Sequence, residues 1–229
     1  MGLRRTGYIG GWKASNLPKF SPQRPVHQAR PDPVRLGRVN CLERFCQILL
    51  VVSFVALSWL GFMVVHEFGH VLAAWLSGGS VSRVVLHPLQ ISWTALARNP
   101  HPLLVAWGGP VLGALLPLVF LTLGRMVESP GLYLFRFFAG FCLVANGLYL
   151  LVDAFQRGGD AGTLLRHGAS QWQLFLFAAL SAPFGFRLWH NLGPHFGLGA
   201  ARGTVSIGAA ITSASLLAAV VAMELAFYR

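Results

Sequence analysis

His66-Glu67-Phe68-Gly69-His70 sets two imidazoles four residues apart, with a carboxylate directly after the first. On a helix, positions i and i+4 lie one above the other, so both rings can reach a single metal ion. Glu67, one residue along, can lean into the same space and take a proton from an activated water. Such a set suits metal-assisted hydrolysis, with Zn2+ as the metal. The chain has only seven acidic residues, and this one sits in a run of Val, Phe, Ala and Leu. Insertion of an acid at mid-membrane costs roughly 2.5–3.5 kcal/mol, so an acid kept there marks a functional site. The plainer alternative is a polar patch that hydrogen-bonds neighbouring helices.

Two histidines do not complete a catalytic zinc site, which takes three protein ligands and leaves one position open. The residue six beyond His70 is Leu76, so the third ligand is distant in sequence. Glu128 sits beside Arg125 in a loop, and Glu224 lies near the end of the last apolar stretch. Asp153 and Asp160 remain. Asp160 follows Gly158-Gly159 at a helix start, where an N-cap is its plainer role. Asp153 closes an apolar stretch on the same helical face as Asn146, and its plainer role is a solvated helix end.

The motif within an apolar helix, Gly108-Gly109-Pro110 in a later span, and Asn146 followed by Asp160-Ala161-Gly162 resemble the site-2 protease family of intramembrane zinc metalloproteases. The small bacterial-type members are closest in style. The resemblance implies that His66 and His70 bind zinc, that Glu67 is the general base, and that Asn146 positions substrate or oxyanion. It implies an aspartate as third ligand. Asp160 fits by the local run Asp160–Leu165, whereas Asp153 fits by its seven-residue spacing from Asn146. The resemblance implies a membrane-protein substrate and a multi-pass protein of a bacterial inner membrane. No PDZ-like insert interrupts the chain.

These side chains must be positioned by membrane helices. Fifty-five per cent of residues are hydrophobic and 11% charged, against about a quarter charged in soluble domains. A water-facing shell cannot be built from that composition, whereas a lipid bilayer accepts it. Phe45–Leu76 is long for one crossing, so a tilt, a kink or an end outside the hydrocarbon is implied. Ser77-Gly78-Gly79 stops it. Residues 80–98 carry strand-favouring Val, Ile and Thr around His87-Pro88, which predicts a β-hairpin or extended segment. Pro102–Gly124, Leu132–Val152, Gln171–His190 and Thr204–Phe227 are further apolar stretches, the third interrupted by Pro183 and Arg187. The expected fold is an all-α integral membrane protein of about five transmembrane helices, with the hairpin between the first two. Gly109–Gly113 reads as a small-residue surface for close helix packing.

The formal charge of +11 is unevenly placed: nine of the 18 Lys and Arg precede residue 45, opposed only by Asp32 and Glu43. Residues 1–44 therefore read as a disordered, basic cytoplasmic tail beside residues 45–229, the polytopic domain. The tail can touch anionic lipid, and no nucleic-acid-reading module is visible. Cys41, Cys46 and Cys142 read as free thiols. The expected function is peptide hydrolysis in or near transmembrane segments. Its rivals are a non-proteolytic protein that binds or moves a divalent metal, and a degenerate scaffold member of the family.

Overall fold

The computed structural model describes residues 40–227. The expected tail lies outside the described residues as far as residue 39. Its last four positions are already helical, because α1 spans Cys41–Leu76. Glu43 accepts a hydrogen bond from the Asn40 N–H at 3.1 Å, which satisfies one orphan donor and starts the helix there. At 36 residues, α1 is about 54 Å long against a hydrocarbon core of about 30 Å. It ends where Gly78 turns left-handed at φ 75°. The Gly78 N–H then bonds to Trp75 O at 3.2 Å and the Gly79 N–H to Ala74 O at 2.8 Å, closing the last carbonyls.

Strands β1 (Ser80–Val85) and β2 (Trp93–Arg98) pair antiparallel, with Ser80 opposite Arg98 and Val85 opposite Trp93. The hairpin lies on α1, where Val81 and Leu96 pack against Ala73, Ala74 and Val105. Helices α2 (Pro102–Met126) and α3 (Leu132–Gln156) follow, then the short α4 (Gly159–Arg166). Helix α5 spans Gln171–Trp189 and α6 spans Ile207–Phe227. Helix α2 packs on α1 and α3, α5 on α3, and α6 on α1. The α1–α6 contact includes a Ser53–Ser213 hydroxyl hydrogen bond of 2.9 Å.

Four of these helices are long and apolar enough to cross a membrane: α1, α2, α3 and α6. Five were expected. The remaining stretch does form a helix, α5, but Arg187 and its glutamines leave it less apolar than the other four. The spans keep large apolar side chains on their outer faces, such as Val52 at 61% and Leu115 at 55% exposure, which lipid covers and water would not. All three cysteines are free.

Small residues set the closest helix contact. A Cβ added at Gly69 would strike the backbone carbonyl of Gly108, and one at Gly108 would lie 2.6 Å from the Ala73 Cβ. Helices α1 and α2 therefore touch backbone to backbone beside the histidine pair. The closest approach falls at Gly108, one residue before the expected Gly109–Gly113 surface, whose two glycines instead make room for the His66 and His70 rings and the Asn146 amide.

Candidate metal centre

His66 and His70 are buried on the last third of α1, 5% and 8% exposed. Each ring is fixed from behind. His66 Nδ1 lies 2.8 Å from Asn146 Oδ1 on α3, and His70 Nδ1 lies 2.8 Å from the carbonyl oxygen of Val105 on α2. The Asn146 amide is oriented by its own Nδ2, which donates to Cys142 O at 2.8 Å and so turns Oδ1 towards the ring. Both ring partners are acceptors. Both Nδ1 atoms must therefore carry the proton, and both Nε2 atoms present a lone pair when the rings are neutral.

Those two Nε2 atoms lie 3.2 Å apart. Asp160 brings Oδ2 to 2.9 Å from His66 Nε2 and 3.3 Å from His70 Nε2. Three acceptors thus converge on one point, an arrangement that calls for protons or a cation between them. Ligands on a four-coordinate zinc with bonds of about 2.1 Å sit roughly 3.4 Å from one another. The observed separations come close to that figure. His66, His70 and Asp160 are, among the described residues, a group able to hold a metal ion, and the donor set of two imidazoles and a carboxylate fits zinc. Burial alone would push the Asp160 carboxyl up; the imidazoles, when they carry a proton on Nε2, hold it below the usual carboxylate range.

Asp160 reaches the pair through a sharp reversal after α3. Arg157 and Gly159 both adopt positive φ, 55° and 46°, and α4 begins at once with Asp160 in its first turn. Gly159 is tightly enclosed: a Cβ there would run into Asp153 Oδ2 and lie 2.6 Å from the Tyr149 hydroxyl. Asp153 therefore lies beside the turn and outside the group of three. Among the described residues its Oδ2 is buried beside the Tyr149 hydroxyl with no well-formed hydrogen bond.

Glu67 is 4% exposed and is held by two hydroxyls from the hairpin. Ser92 Oγ donates to Oε1 at 2.9 Å and Thr94 Oγ1 to Oε2 at 2.6 Å. Histidines, glutamate, hydroxyls and Asp160 line one cavity of about 240 Å³, joined by Tyr149 and Thr163. The Tyr149 ring stands edge-on to His66, with centroids 5.8 Å apart. Asn146 is fully buried and does not line that cavity; it meets His66 from the far side.

Gly109 shapes the floor of the site. A Cβ there would overlap His70 Nε2 and lie 2.7 Å from His66 Nε2. Gly113, one turn on, leaves room for the Asn146 amide, 2.7 Å from where its own Cβ would be. The sequence gives no sign of the Val105 carbonyl, because a backbone acceptor carries no residue signature. Ser92 and Thr94 left a faint one: they are hydroxyl residues two apart at the start of the strand-favouring run that becomes β2.

Among curated proteins and solved structures none matches the chain. A family model described as Peptidase M50B-like matches residues 45–157, from the start of the first span to the turn three residues before Asp160. Over that stretch the histidine pair, Glu67, the glycine surface of α2 and Asn146 are all included, and the chain belongs to this peptidase family, the site-2 protease family.

Proposed function

We propose that this membrane protein is a zinc-dependent endopeptidase that cleaves peptide bonds in or near the transmembrane segments of other membrane proteins. The observation that carries the reading is the convergence of His66, His70 and Asp160 beside Glu67 in one cavity. In it, His66, His70 and Asp160 hold the ion, and Asp160 rather than Asp153 is the third protein ligand. Zinc held there supplies Lewis-acid polarisation of the scissile carbonyl and makes water more acidic. Glu67 accepts the proton that water gives up and returns one to the leaving amine. Asn146 and the Val105 carbonyl keep each imidazole in the tautomer that offers Nε2 inward. Tyr149 forms part of the wall of the same cavity. The basic N-terminal segment places the N-terminus in the cytoplasm of a bacterial inner membrane, and α5 serves as a fifth, less apolar crossing.

The test is Glu67→Gln in the full chain, reconstituted with single-span reporter proteins. The expected outcome is one zinc per chain, as in wild type, with cleavage lowered at least about 10²-fold, as for loss of a general base. A metal carrier or a scaffold would function as before, and normal cleavage by the variant, or no reporter cleaved by wild type, refutes the proposal.

A further inference from the structure

We infer that Ser92 and Thr94 are positioning residues for Glu67, so that the β-hairpin is part of the catalytic machinery; this rests on the reading of Glu67 as the base. Among the described residues, the hydrogen bonds to the Glu67 carboxylate come from these two hydroxyls, one on each oxygen. No Lys or Arg nitrogen forms an ion pair with it there. The difference matters chemically. A cationic partner would stabilise the anion so strongly that its basicity would fall, whereas neutral hydroxyls hold and solvate it more gently. A carboxylate offers about four lone-pair sites. Two hydroxyls fix its plane and leave the others free for a water in the cavity.

The hairpin is built to deliver this contact. Thr94 and Leu96 alternate onto one face of β2, and Ser92 stands immediately before the strand, two residues ahead of Thr94. The two hydroxyls meet Glu67, while Leu96 on the same face packs against Ala73 and Ala74, about two turns further along α1. Trp93, between the hydroxyls, is 48% exposed and also borders the cavity that holds Glu67. The face thus has a polar end matched to the carboxylate and an apolar end matched to small residues. A one-residue slip in register would turn Thr94 off the face that meets Glu67 and remove its hydroxyl from the carboxylate.

The experiment uses the zinc-loaded full chain with Ser92→Ala, Thr94→Val, the double variant and Thr94→Ser. Infrared difference spectra against Glu67→Gln isolate one carboxylate out of the seven acidic side chains, and need no substrate. The expected result is that its stretching bands shift in Thr94→Val and further in the double variant, and stay in place in Thr94→Ser. With a cleavable single-span reporter, kcat should fall on the order of tenfold for each hydroxyl removed, with KM and zinc content unchanged, and Thr94→Ser should restore most of the rate. Wild-type bands and kcat in the double variant would overturn the inference, as would a loss confined to KM. If the double variant sheds zinc, the comparison of Thr94→Val with Thr94→Ser decides by the same signs. Should Glu67→Gln cleave like wild type, the base assignment itself fails. If that variant is inactive and the hydroxyl variants are not, only the hairpin's role is refuted.

Discussion

Replacing Gly109 by alanine adds one methyl group at the floor of the metal centre. That carbon would lie 2.6 Å from His70 Cε1 and 2.7 Å from His66 Nε2, where carbon contacts settle at about 3.5–4.0 Å. One or both rings must move by about 1 Å. They cannot swing aside freely, because each is anchored by a 2.8 Å hydrogen bond at Nδ1. Metal–ligand bonds tolerate only about 0.2 Å. Disturbing an outer-shell partner already costs about 10–100-fold in metal affinity, so displacing the ligands themselves should cost at least about 100-fold. Overpacking adds about 1–3 kcal/mol of destabilisation. The assay is a zinc competition titration against a chelator in detergent, run beside thermal unfolding of the same samples. Gly108→Ala is the comparison: its methyl meets the Gly69 carbonyl and Ala73, so it wedges α1 from α2 and should lower stability more than Gly109→Ala. Wild-type zinc affinity in Gly109→Ala would refute the site geometry.

Other perturbations separate neighbouring roles. Asp160→Asn should reduce bound zinc well below one per chain, whereas Asp153→Asn should leave it at one; elemental analysis after dialysis distinguishes them, and the reverse pattern would return the third-ligand role to Asp153. Asn146→Leu removes the acceptor behind His66 and should weaken zinc by about 10–100-fold without abolishing it, as read by the same competition titration. At the other end of α1, Gln47 is buried and donates to the carbonyls of Phe196 and Gly197 at 3.1 and 2.9 Å. Gln47→Leu strands both acceptors and should cost about 1–3 kcal/mol in unfolding experiments, with zinc content unchanged.

What could be read from the sequence was whatever depends on local spacing. An i, i+4 pair fixes its own geometry on any helix, so His66 and His70 needed no knowledge of the rest. The hairpin was legible for the same reason, since strand-formers around His87-Pro88 announce it locally. The third ligand was not legible. Asp153 and Asp160 are seven residues apart, and which of them joins the imidazoles is set by left-handed turns at Arg157 and Gly159. Arg157 gives no hint of a positive φ, so the reversal is invisible in residue types. Asn146 was picked out as a polar residue in an apolar helix, yet its place behind His66 depends on the packing of α3 against α2. The stretch that forms α5 was read as apolar but interrupted by Pro183 and Arg187, and it is not among the four helices long and apolar enough to cross a membrane.

Buried polar groups in this chain sort into two kinds, and the sorting locates the chemistry. Most have a partner: the histidine Nδ1 atoms Asn146 and Val105, each Glu67 oxygen a hydroxyl from Ser92 or Thr94, Gln47 two carbonyls. A few do not, and leaving such a group unmatched costs about 1–3 kcal/mol or more. Asp153 Oδ2 and both Glu224 oxygens are buried without hydrogen-bond partners among the described residues, but neither residue belongs to the group of three. The two Nε2 atoms and Asp160 Oδ2 differ because they face one another, 2.9 to 3.3 Å apart, with their outer atoms already committed. A single proton placed among three acceptors satisfies only two of them at a time. A divalent cation would satisfy all three, and the cavity they line also holds Glu67. The mutual arrangement of the unfilled acceptors, more than their burial, marks the metal site.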